Sequence, residues 1–173
     1  NPRYAEQLQS MRQRLMGKLK AMPDLSFLPE AVLYDEAMQD PVAFGQQHKL
    51  AIGELIDTVN LALLPFDQAE PQLKSAIQHE DPWVRYWALV ACSSFGDEAK
   101  SLLPLAERKL VDLEPLVATR AVEFVALVGQ SDPRPALYRS IERATNEPEA
   151  LRMLNTAVLL DDFTDGRLNI DVR

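Results

Sequence analysis

The chain has 173 residues, 47% hydrophobic and 25% charged, with a net charge of −8 and a pI near 4.8. That length supports one domain with a sizeable core, no apolar run approaches the roughly 18–20 residues of a membrane span, and the acidic balance disfavours nucleic acid or a polyanionic ligand, which want clustered Lys and Arg. A single cysteine, Cys92, excludes an internal disulfide without fixing the compartment, and a start at Asn1 with neither Met nor signal peptide reads as a piece of a longer or processed protein.

Residues 3–22 predict a helix. Tyr4, Leu8, Met11, Leu15, Leu19 and Met22 advance by threes and fours, while Gln7, Gln9, Arg12, Gln13, Lys18 and Lys20 take the other side. Pro23 ends it. Residues 24–30 form an extended link, because Pro29 biases Leu28 away from helix. A short helix follows from about Glu30 to Met38, and Asp40 caps another that opens at Pro41. Residues 47–64 are apolar around most of the helical circumference, which predicts burial on two sides; Pro65 stops this helix, read as the second half of an incomplete first repeat.

From residue 65 the helices come in pairs: 69–78 with 82–95, 98–111 with 115–128, and 134–144 with 148–160. Asp81 is a good N-cap, Pro82 suits the first helical position, and Gly96 suits a C′ residue with positive φ. Pro82, Pro115 and Pro148 are 33 positions apart. Val84, Val117 and Ala150 align, as do Ala88, Ala121 and Leu154, and Cys92, Val125 and Val158. Each second helix is the more apolar of its pair, as in the inner layer of a solenoid. No strand pattern competes, and residues 164–173 have no helical period. The expected fold is all-α: a right-handed α-α superhelix of HEAT-like or armadillo type, with extra N-terminal helices over 1–64, three pairs over 65–163 and a tail over 164–173, in one structural domain.

A two-helix period of 33 also suits ankyrin and tetratricopeptide repeats, but their signatures are missing. Asp81-Pro82-Trp83-Val84-Arg85 resembles the turn of compact bacterial HEAT-like repeats, with Arg85 placed to pair with Asp81 one turn away. The later repeats carry Ala118 and Leu151 where Arg85 stands. A wider resemblance covers residues 4–163. Asp24-Leu25-Ser26-Phe27-Leu28-Pro29-Glu30, preceded by an amphipathic helix, is similar to a segment that follows the catalytic domain of many bacterial sulfatases, with Ser26 where the family often has Gly. A turn with Phe44, a buried helix like Ile56-Asp57-Thr58-Val59-Asn60-Leu61-Ala62, and a HEAT-like array with Val84-Arg85-Tyr86-Trp87 follow in the family's order. The chain thus resembles the C-terminal helical region of N-sulfoglucosamine sulfohydrolases and arylsulfatases.

That resemblance implies a parent enzyme using formylglycine and Ca²⁺, and a periplasmic or secreted location. The formylglycine motif, Cys/Ser-x-Pro/Ala-x-Arg, is not found around Cys92-Ser93-Ser94-Phe95, so Cys92 reads as a small buried core residue and this chain as non-catalytic. His48 and His79 lie in different helical units, and His79-Glu80-Asp81 reads as an interhelical turn rather than a zinc site. Asp161, Asp162 and Asp165 read as a solvated turn, short of the oxygens Ca²⁺ needs. No catalytic, cofactor or metal residue is therefore expected. Trp83, Arg85, Tyr86 and Trp87, with Arg120 aligned to Trp87, form the candidate interface, where the aromatics either pack between repeats or, exposed, would anchor a partner. The expected partner is a sulfatase catalytic domain or another subunit, with neither nucleic acid nor membrane. The alternative is a free-standing scaffold that binds a peptide or protein on its concave face.

Overall fold

The computed structural model describes residues 2–129, 131–164, 166 and 169–170. No strand forms among the described residues; the regular structure is helical. It divides into two compact units, residues 1–57 and 58–173.

In the first unit, α1 runs Ala5–Ala21 and ends where Met22 turns extended before Pro23. None of its side chains is buried. Asp24 caps a short 3₁₀ turn, Leu25–Phe27, through the Ser26 N–H at 3.0 Å, and Leu28 is extended ahead of Pro29. The helix expected over 30–38 is split: α2, Glu30–Val32, widens into a single π turn over Leu33–Ala37. α3, Pro41–Gln47, is capped by Asp40, whose Oδ1 accepts from the Ala43 N–H at 2.9 Å. α4 spans Lys49–Asn60 and tightens into a 3₁₀ turn, Leu61–Leu63; the boundary between the units falls inside it. The expectation of burial on two sides fails here. Ile52, Leu55 and Ile56 are each 1% exposed, but Leu50 on the opposite side is 91% exposed. α4 is an ordinary one-sided helix, because several of the apolar residues counted toward its circumference lie in the 3₁₀ turn.

The second unit is built from α5 (Phe66–Ala76), α6 (Pro82–Phe95), α7 (Leu103–Lys109), α8 (Pro115–Val128), α9 (Arg134–Glu142) and α10 (Glu147–Phe163). α6 and α8 start and stop where their Pro and cap residues put them. Asp81 Oδ1 accepts from the Trp83 N–H at 2.7 Å, and Glu114 Oε1 from the Leu116 N–H at 3.2 Å. α10 starts one residue ahead of its proline frame, because Asn146 takes the cap and accepts from the Glu149 N–H at 2.9 Å. The Glu149 carboxylate reaches back to the Thr145 N–H at 2.6 Å, so both ends of that turn are closed.

α7 departs more from expectation. The 98–111 helix begins as a 3₁₀ run, Gly96–Leu102, and becomes α-helical only at Leu103. Pro104 is the cause: an α-helix continued through it would lose the bond to the Lys100 carbonyl and press the ring against it.

α8 is the hub of this unit. It packs against α6, α7, α9 and α10, while α5 packs on α6 and α9 on α10. Its buried residues include Leu116, Val117, Ala121, Val122, Phe124 and Val125. The described part of the tail folds back onto α10. The Thr164 hydroxyl donates to the Leu160 carbonyl at 2.8 Å, and Ile170 packs beside Ala157 and Leu160. Asp165 lies outside the described residues.

Candidate interaction site

The turn between α5 and α6 is closed by Arg85. Arg85 does not pair with the Asp81 carboxylate, which is occupied capping α6; only the backbone N–H of Arg85 reaches the Asp81 carbonyl. Its guanidinium instead crosses to the following turn. Nε donates to Asp112 Oδ2 at 2.9 Å and Nη2 to Asp112 Oδ1 at 2.6 Å, a two-pronged ion pair. Nη1 donates to the carbonyls of His79 (2.9 Å) and Glu80 (2.8 Å), so one side chain closes its own turn and clamps the next. From the other side, Arg143 donates to the carbonyls of Asp112 and Leu113. The clamp is well shielded, with side-chain exposures of 11% for Arg85 and 4% for Asp112. Burial alone would push the Asp112 carboxyl up, but Arg85, the Glu114 N–H and Lys109 outweigh it and hold its pKa below the usual value. Glu114, two residues on, goes the other way: burial raises its pKa and the Glu149 and Asp112 carboxylates add to the rise, against the Leu116 N–H.

The aromatic candidates flank Arg85 on α6, Trp83 before it and Tyr86 and Trp87 after it. Tyr86 is buried, 4% exposed, and its ring meets Trp83 and Trp87 edge-on at centroid distances of 6.3 and 5.4 Å. Trp83 and Trp87 themselves are half-buried. Arg120 of α8 stacks over the Tyr86 ring, 5.1 Å from its centroid, and its Nη1 pairs with Glu123. Desolvation would weaken the Arg120 charge, but Tyr86 and Glu123 more than restore it. Its Nε is buried and makes no hydrogen bond. Arg152 of α10 donates to the Tyr86 hydroxyl at 3.4 Å, so α6, α8 and α10 meet around one phenol ring. Met153, aligned with Arg120, is fully buried.

The five candidates therefore lie close together, but in two roles. Arg85, Tyr86 and Arg120 are engaged within the protein, and the two indoles carry what surface the cluster offers. Asp112, Glu123, Arg143 and Arg152 complete the two networks and were not singled out from the sequence. Asp112 had a signal: it lies 33 positions after His79, in the same turn of the next repeat. Arg143 and Arg152 had none, since neither keeps a charge at the matching positions.

Cys92 is fully buried in α6, and burial pushes its thiol pKa up to about 12. His79 Nδ1 accepts from the Asp81 N–H at 3.1 Å, and His48 stacks on Phe44. Among the described residues, no three His, Cys, Asp or Glu side chains are grouped to hold a metal ion, and no helix is long and apolar enough to cross a membrane. Comparison with protein-family models, curated proteins and solved structures finds no match to this chain.

Proposed function

We propose that this chain is a non-catalytic scaffold module, a right-handed superhelix of HEAT-like pairs that forms the C-terminal part of a bacterial sulfatase. The observation that carries the reading is the Arg85–Asp112 clamp. It ties the turn before α6 to the turn before α8, which supports a reading in which successive helix pairs stack. The motif order over residues 4–163 supplies the family. Formylglycine and Ca²⁺ would belong to the parent's catalytic domain, and the module would give that domain rigidity or an interface, outside the cytoplasm.

Two measurements test this. Reading the gene upstream of Asn1 should find Cys/Ser-x-Pro-x-Arg; a parent without it sinks the sulfatase assignment. Assay of the isolated chain with an aryl sulfate should give no turnover, and clear turnover would overturn the non-catalytic reading.

The half-exposed Trp83 and Trp87 favour a second reading, a scaffold that binds a peptide or protein on its concave face. A natural start at or near Asn1 and a co-purifying partner whose binding is lost in Trp83→Ala with Trp87→Ala would select it.

A further inference from the structure

Two helices carry apolar side chains that the described residues leave largely exposed. On α1 and at its two caps, Tyr4, Leu8, Met11, Leu15 and Met22 are 50–73% exposed. Only Met16, Leu19 and Lys20, toward the C-terminal end of α1, are half-buried, and there Lys20 reaches Asp57 of α4 at 2.6 Å. At helical spacing Arg12 borders one edge of the stripe, with Arg14 and Lys18 along the other. Residues 2–22 hold five cations against Glu6 alone, in a chain that otherwise has 13 Lys and Arg against 25 Asp and Glu.

The second stripe is on α10. The aligned positions Val84, Ala88 and Cys92 of α6, and Val117, Ala121 and Val125 of α8, are all buried. Their α10 equivalents are not: Ala150 and Leu154 are half-buried and Val158 is 61% exposed, next to Leu151 at 59%. These are the positions a following helix would cover in a stacked array. At helical spacing Glu147 lies at the N-terminal end of the stripe, and Asp161 and Asp162 flank its C-terminal end.

We infer that the α1 stripe of one molecule docks on the α10 stripe of a second copy, joining chains head to tail. Both helices are 17 residues long, both expose aliphatic side chains, and the rims are opposite in charge. In a parallel crossing Arg14 and Lys18 meet Asp161 and Asp162. An anionic membrane is a poorer occupant for α1, because the acidic remainder of the chain would be repelled from it. The contact is heterologous, so it propagates beyond a dimer unless the rotation closes a ring. This inference does not rest on the sulfatase assignment.

The test uses two double variants, Leu8→Glu with Leu15→Glu and Leu151→Glu with Val158→Glu, all at exposed positions, with helicity checked by circular dichroism. Light scattering coupled to size exclusion should show wild-type mass rising with concentration above the 19.5 kDa monomer, and falling back in high salt. Each variant alone should stay monomeric. An equimolar mixture should form a dimer and stop there, because one intact α1 meets one intact α10. A monomeric wild type at every concentration, a monomeric mixture, or self-association by either variant alone overturns the inference. So does a wild type that stays monomeric yet co-sediments with phosphatidylcholine–phosphatidylserine vesicles.

Discussion

Removing Asp112 should cost far more than an exposed ion pair would. Asp112→Ala leaves the Arg85 guanidinium shielded, with two carbonyl acceptors but no counter-charge. Breaking a buried pair from one side costs about 3–5 kcal/mol. The retained carbonyl bonds and the 11% exposure of Arg85 place this case near 3 kcal/mol. Both tryptophans lie on α6, so their fluorescence reports unfolding of the second unit. With a urea slope of about 2 kcal/mol/M, the midpoint should fall by about 1.5 M. A double-mutant cycle with Arg85→Met should return a coupling of about 1–3 kcal/mol. The matching cycle of Arg85 with Asp81 should return almost none, since Asp81→Ala removes only a cap worth about 1 kcal/mol. A pH series adds a sign. The folded pKa of Asp112 is depressed, so its contribution is full above the unfolded value near 3.8 and disappears as pH falls through the lower folded value. A cost for Asp112→Ala under about 1 kcal/mol, or stronger coupling of Arg85 to Asp81 than to Asp112, would refute the clamp.

Glu114 has the opposite linkage. Its raised folded pKa means the charged form is penalised, so Glu114→Gln should raise the urea midpoint at neutral pH, with the gain vanishing below about pH 4.5; an unchanged or lower neutral midpoint contradicts this. Gly96→Val should cost roughly 1 kcal/mol or more in the same assay, because Gly96 holds φ 56° and ψ −130°, a region closed to β-branched residues. Ala121→Arg should cost several kcal/mol by forcing a charge into the fully buried face of α8, and an unshifted melting temperature would put the helix phase in error. Cys92 should resist thiol reagents in the native protein and react at once in denaturant; rapid native labelling would show that α6 opens locally.

α6 and α8 were legible because their signals are local. Asp81 and Pro82 fix the start of α6 through one side chain and one ring, and Pro115 marks that of α8, whatever packs around them. What was not legible depends on partners distant in sequence. The i, i+4 spacing of Asp81 and Arg85 suggests a pair within one turn, but the carboxylate is already committed to the Trp83 N–H, and the guanidinium reaches Asp112 in the turn before α8. Exposure of the two tryptophans rather than Tyr86 is likewise set by which helix meets α6.

Position 129 shows how a repeat can keep a residue and change its reason. Gly129 closes α8 as Gly96 closes α6, yet its φ of −86° and ψ of −174° are open to any residue. A side chain is excluded there by space: a Cβ would lie 2.6 Å from the Val125 carbonyl oxygen that its own N–H binds. An alanine at 129 therefore meets backbone, whereas at 96 a Cβ would meet nothing within 4 Å and only the backbone angles resist it. The same separation applies to Val158. Its place in the 33-residue frame matches Val125, but the frame records which side of a helix is built to be covered, and only the next element in space decides whether it is. For α6 and α8 that element lies in this chain; for α10 the described residues supply only the short return of the tail near Ile170, and Leu151 and Val158 stay exposed.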